Sequence, residues 1–225
     1  MHVRLTYGVC YPIILTVTDQ KELGMTTVRQ FERLWTAGAH ARLTHLLLSA
    51  RPEGTPTVRA RLAGDRASAA LILIRLDELH QAQAPLYSRL VRHLVAAQDA
   101  DGGWDDPATT AVCLRALMLG GAGGVAVDRG LDYLAVLQKD DGAWPAEPLR
   151  RMPGDGLVTA LVLGQLAGDA RFRGLTRYDA AVAWMGRNAD TFDPETCRLW
   201  ARTRVRCTLP PVSAPELALL RGAAA

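Results

Sequence analysis

The stretch QDADGGW at 98–104 returns as QKDDGAW at 138–144, forty residues later. A glutamine, an Asp-Gly turn and a tryptophan at one fixed spacing mean that the chain repeats a supersecondary unit. A period of about 40 residues is the size of a helix pair with two short connections. One such unit cannot bury its own apolar face, so the repeat predicts stacked hairpins sharing a core.

A second register supports the repeat. DRASAAL at 65, DPATTAV at 106, DGLVTAL at 155 and DPETCRL at 193 each place an aspartate ahead of an apolar helix, at offsets of 41, 49 and 38 residues. Asp65, Asp106, Asp155 and Asp193 are therefore read as N-caps, whose carboxylates accept from the first amides of the helix. Pro107 and Pro194 take the first helical position, where a missing N–H costs nothing.

Between these apolar helices lie one-sided ones. Leu90, Val91, Leu94, Val95 and Gln98 follow helical spacing, as do Leu131, Leu134, Ala135 and Gln138. Leu34 to Leu48 and Ala180 to Asn188 belong to the same set. The spacing predicts helices over 28–49/66–80, 86–98/107–119, 127–138/156–167 and 178–189/194–206, with glycines marking the turns.

Composition narrows the class. With 225 residues and 49% hydrophobic content the chain can fill one substantial core. It has no run of 18 apolar residues, so no transmembrane helix is expected. A net charge of +3 does not argue for a nucleic-acid partner. Cys10, Cys113, Cys197 and Cys207 form no CxxC pair, so neither a disulfide framework nor a zinc knuckle is indicated, and a reducing cytoplasm is the expected setting.

The ends read differently from the middle. Residues 1–24 include the β-branched and aromatic stretch LTYGVCYPIILTV and are taken as a loose arm or spurious extension, because TVTDQKELG offers no signal-peptide cleavage site. Thr27 and Gln30 fit a capping box, which places the start of the folded body near Met25. The repeat domain is expected over 25–208, with a tail over 209–225.

Gln98 with Gly102-Gly103-Trp104, and Gln138 with Gly142 and Trp144, resemble the QW repeat of the terpenoid cyclase and protein prenyltransferase superfamily, squalene-hopene cyclase-like proteins included. The resemblance covers roughly residues 30 to 206 and implies an all-α fold, the α/α toroid. It also implies that each glutamine ends an outer helix, that the tryptophan stacks on it, and that the motif is structural. About six hairpins complete a toroid in that family, and about four are legible here. An incomplete ring is expected, open or closed by another copy in a homo-oligomer.

The family's chemistry is not carried with its fold. Class II cyclases use an Asp-x-Asp-Asp-Thr-Ala motif whose middle aspartate donates a proton. In DPATTA at 106–111 that position is Ala108, and elsewhere in the register it is Ala67, Leu157 and Glu195. Glu195 is thus the one candidate acid. Helices 66–80, 107–119 and 156–167 contain no aromatic residue, and Trp200 stands alone in the last, whereas a carbocation needs aromatic faces.

Other chemistries fare no better. Glu195-Thr196-Cys197 imitates half of a prenyltransferase zinc site, but His2, His40, His45, His80 and His93 all precede it. No metal site and no cofactor are expected, and His40 and His45 read as ordinary surface or interhelix residues. Arg198 and Arg202, at i and i+4, form a cationic row that with Trp200 would line a ligand site if it faced inward. Asp105-Asp106 and Asp140-Asp141 are assigned to turn and cap duty. The expectation is a non-catalytic protein that binds an apolar, isoprenoid-like small molecule or a protein partner. The alternative is a diverged cyclase or isomerase using Glu195 as its acid.

Overall fold

A computed structural model describes residues 17–49, 51, 54–121 and 124–211, with side chains from Thr26 onward. Residues 1–16 of the arm expected over 1–24, and 212–225 of the tail expected over 209–225, lie outside the described residues, whereas 17–24 belong to α1. The elements are α1 (Val17–Thr36), α2 (His40–Leu48), α3 (Pro56–Arg61), α4 (Asp65–Glu78), α5 (Pro85–Ala96), α6 (Pro107–Leu119), α7 (Gly124–Leu137), α8 (Gly156–Leu166), α9 (Ala170–Leu175), α10 (Tyr178–Arg187) and α11 (Pro194–Thr208). Among the described residues there is no strand, and the all-α expectation holds.

Five helices form a central row in which α2 packs on α4, α4 on α6, α6 on α8 and α8 on α11. Helix α5 flanks α4, α7 flanks α6, and α10 lies against α8 and α11. The sequence dictates this division. Every residue over 67–74, 107–114 and 158–163 is buried, because those stretches are apolar or small on all sides and a helix without a polar face has to be surrounded. By contrast α5 buries only Leu86, Tyr87, Leu90 and Leu94, one stripe facing the row. Ala67, Ala70, Ala108, Ala111 and Ala160 are buried in the row, where small side chains let axes approach.

The caps follow the predicted register with one exception. Asp106 accepts from Ala108 and Thr109, Asp155 from Val158, and Asp193 from Glu195 and Thr196, all through backbone N–H groups. Asp65 is instead the first residue of α4, after Gly64, and its carboxylate accepts from Arg66 N–H. The preceding Gly64 takes the extended backbone geometry of the cap.

The first hairpin differs from its predicted form. The helix expected over 28–49 breaks at Gly38, whose φ of 66° ends α1 in the left-handed region that glycine adopts without strain. Helix α1 already begins at Val17, so Thr27 lies inside it and marks no helix start. Two short helices, α3 and α9, lie between the predicted ones. Both carry cap signals: Thr55 accepts from Val58 N–H ahead of Pro56, and Asp169 accepts from Phe172 N–H.

The unequal offsets also resolve. The glutamine-tryptophan register advances by 40 residues while the cap register advances by 49, and the nine extra residues fall between Trp144 and Asp155. An antiparallel bridge between Pro145 and Gly154 closes the base of this loop, and Asp155 N–H donates to Trp144 O at 2.8 Å.

Candidate functional site

The two repeat turns are built alike. In the first, Gly102 N–H returns to Asp99 O at 3.0 Å, and Gln98 Nε2 donates to Gly102 O at 2.7 Å and to Ala126 O of α7 at 2.8 Å. In the second, Gly142 N–H returns to Lys139 O at 3.0 Å, and Gln138 Nε2 donates to Gly142 O at 2.8 Å and to Arg177 O, ahead of α10, at 3.3 Å. Arg177 N–H donates back to Gln138 Oε1 at 2.7 Å. Each glutamine thus closes its own turn and holds the next flanking helix by backbone groups of its first turn or cap: Ala126 O in one case, and both the N–H and the O of Arg177 in the other, this O also accepting from Ala181 N–H.

The tryptophans complete the tie. Trp104 Nε1 donates to Leu94 O and Trp144 Nε1 to Leu134 O, both at 2.8 Å, so each ring is pinned to the helix before its turn. Their backbone N–H groups donate to Thr110 Oγ1 at 2.8 Å and Thr159 Oγ1 at 3.0 Å, reaching the helix after it. Both indoles are fully buried. The ring contacts point onward along the chain. A Cβ on Gly130 of α7 would come within 2.8 Å of the Trp104 ring, and Trp144 stacks on Phe172 of α9 with centroids 6.0 Å apart.

The glycines explain how close this approach is. Gly102 and Gly142 have φ of 94° and 97°. A Cβ on Gly142 would meet Ala181 N at 2.3 Å, and one on Gly102 would meet Arg129 O at 2.6 Å. Only an unsubstituted turn fits against the next hairpin.

An ion cluster fixes the first turn to α4. Arg66 forks Asp99 at 2.6 and 3.0 Å and reaches Asp105 at 2.9 Å. The hydrogen bond from Arg66 holds the Asp99 carboxyl below its ordinary range. Burial pushes the Asp106 carboxyl up, against the amides it caps. Burial likewise raises the Cys113 thiol well above its ordinary value, which makes this cysteine an inert part of the core.

Glu195 stands in an unexpected place. Its Oε1 accepts from Thr57 N–H at 3.0 Å and its Oε2 from Thr57 Oγ1 at 2.8 Å, joining the start of α11 to α3 across 138 residues of sequence. Arg61 of α3 reaches Ala146 O in the loop before α8 at 3.1 Å. Helix α3 therefore links the first hairpin to the last, with Glu195 as an acceptor of two hydrogen bonds at a half-exposed position. Thr57 and Arg61 were not singled out in the sequence, although the Thr55-Pro56 cap marked their helix.

The remaining candidates do not converge. Trp200 is buried in the core, while Arg198 and Arg202 lie on the exposed face of α11. Arg206, also exposed, donates to Gly164 O. Asp140 accepts from Arg150 at 2.7 Å and Arg177 at 2.5 Å, and Asp141 accepts from Ala143 N–H, so these acids serve the second turn. Two open hollows flank that turn, one lined by Arg173, Arg177 and Tyr178, the other by Lys139, Arg150 and Arg151. His40 meets the edge of Trp35 at 4.8 Å and hydrogen-bonds Ser68, and His93 meets the same indole at 5.1 Å. Exposed His45 pairs with Ser49 one turn on.

Among the described residues no group of three His, Cys, Asp or Glu is placed to hold a metal, and no helix is long and apolar enough to cross a membrane. No protein family, curated protein or solved structure matches the chain.

Proposed function

We propose that this chain is a non-catalytic, cytoplasmic protein of the α/α-toroid type, related in architecture to terpenoid cyclases and prenyltransferases, and that it works by binding a protein partner. The observation that carries this reading is the burial of the central row. Residues 67–74, 107–114 and 158–163 are surrounded by other parts of the chain, so the aliphatic surface that would receive a prenyl chain is already occupied by its own neighbours. Protein binding is favoured over an enclosed isoprenoid for that reason.

The position of Glu195 supports the same choice. A proton-donating carboxyl needs an apolar, water-poor pocket, whereas Glu195 is only partly buried and both its oxygens accept from Thr57 donors. The matching Gln98 and Gln138 ties support the toroid comparison, since each spends its amide on joining consecutive hairpins.

Two measurements test the reading together. Purified protein is incubated with geranylgeranyl diphosphate and squalene, and organic extracts are searched for cyclised product while melting temperature is followed. No product and no rise in melting temperature are expected. In-cell cross-linking of the full chain is expected to join it to another polypeptide. Turnover of either isoprenoid, lost in Glu195→Gln, would overturn the proposal.

A further inference from the structure

We infer that the exposed face of α11 is the docking surface, and that it receives an acidic amphipathic helix of a partner protein as the next member of the central row. This rests on the reading above that the chain binds a protein.

The row itself sets the geometry. Helices α4, α6 and α8 each have a row neighbour on both sides, but α11, the last, packs on α8 alone within the row. Its opposite face carries Arg198, Ala201, Arg202 and Val205 at the i, i+3, i+4 and i+7 positions of one stripe, with Leu209 at the C-cap just beyond. Val205 and Leu209 are 62% and 57% exposed. Ala201 and Val205, followed by Leu209, make a short apolar seam with Arg204 on one side and Arg198 and Arg202 on the other, the arrangement by which one helix receives another.

Charge selects the occupant. Residues 196–211 contain Arg198, Arg202, Arg204 and Arg206 and no carboxylate. Asp193 and Glu195, the acids at the head of α11, are committed to the cap and to Thr57. Arg198 and Arg204 form no ion pair among the described residues. Arg198 and Arg204 stand on either side of Ala201, where carboxylates flanking the apolar seam of a facing helix would meet their guanidinium forks.

A second copy fits poorly. Face-to-face pairing of two α11 helices would oppose arginine to arginine. The exposed face of α2, at the other end of the row, offers Arg42 beside Leu46, so a head-to-tail stack also brings arginine to arginine.

The test uses the full chain and three fluorescein-labelled synthetic helices of about 18 residues, long enough to span α11. One has an alanine/leucine seam flanked by glutamates, the second has lysines in their place, and the third keeps the glutamates but has a serine seam. Fluorescence anisotropy at low salt is expected to give saturable binding of the first, roughly tenfold tighter than either control. Arg198→Glu with Arg204→Glu is expected to reverse the preference toward the lysine peptide. Val205→Asp is expected to weaken binding of the glutamate peptide while leaving the melting temperature unchanged, as its position is exposed.

No saturable binding, a preference unmoved by charge reversal, or equal binding of the serine-seam peptide would overturn the inference. So would concentration-dependent self-association abolished by Val205→Asp, because a second copy would then hold the face. Hydrogen exchange on the cross-linked complex separates the two levels. Protection away from 198–209 sinks this surface and leaves the protein-binding reading standing, whereas absence of any partner sinks that reading itself.

Discussion

The side-chain amide of Gln138 pairs with the backbone of Arg177 in both directions. Oε1 accepts from Arg177 N–H at 2.7 Å and Nε2 donates to Arg177 O at 3.3 Å. A residue at the end of one hairpin's flanking helix thereby bonds both backbone polar groups of the residue that caps the next flanking helix, α10. Gln98 makes the corresponding donation to Ala126 O one repeat earlier. The joints between hairpins thus depend on single side chains, and each can be tested singly.

Removing Gln138 leaves the Arg177 N–H and the Gly142 carbonyl without their partner in a buried turn. Gln138→Ala is expected to cost about 1–3 kcal/mol, the scale for a buried group left unpaired. Gln98→Ala, at a less buried position with two donated bonds, is expected to cost less. Urea denaturation of the two variants beside the parent checks the order.

Thr159 and Thr110 accept from the N–H groups of Trp144 and Trp104 inside the core. Thr159→Val preserves shape and deletes the acceptor, so about 1–3 kcal/mol should be lost although no volume changes. Thr159→Ser should retain most of the stability, because the hydroxyl remains. Thermal melts of the pair separate the hydrogen bond from packing.

Gly142 has φ of 97° and faces Ala181 N at 2.3 Å from where a Cβ would sit. Gly142→Ala is expected to destabilise by about 2 kcal/mol or more, since strain and collision act together. Gly168→Ala is the control. A Cβ there meets nothing within 4 Å, and its φ is not in the positive range. Similar melting curves for the two would contradict the packing described for the turn.

Acid sensitivity has a sign that follows from the first turn. The hydrogen bond from Arg66 holds Asp99 below its ordinary range, so the folded chain binds that proton less readily than the unfolded chain. Its stabilisation is present above a pH of about 4 and is lost as pH falls through the lower folded value. Asp106, raised by burial, acts in the opposite sense, and its protonation relieves a cost. Asp99→Asn should therefore flatten the acid limb of a stability profile below a pH of about 4, and Asp106→Asn should not.

Much of this architecture was legible because it rests on local signals. Three of the four aligned aspartates cap their helices, and the stretches apolar on all sides form the buried row. Asp65 missed by one position because Gly64 supplies the extended cap geometry without a side chain. The bounds of α1 are hidden in the sequence because its Thr27-Gln30 pair looks like a helix start, while the break at Gly38 lies inside a continuous apolar periodicity. The role of Glu195 was not legible at all. Its partner Thr57 is 138 residues away, and no periodicity reports a contact of that range.

The central claim is that each repeat tryptophan is pinned inside the joint its glutamine closes. Hydrogen exchange of the Trp104 and Trp144 indole N–H groups, followed by two-dimensional NMR, tests it most directly. Both donate at 2.8 Å from fully buried rings, so both should exchange only on global unfolding, and Gln138→Ala should speed Trp144 far more than Trp104. Exchange of either indole as fast as that of an exposed tryptophan in the parent protein would contradict the account.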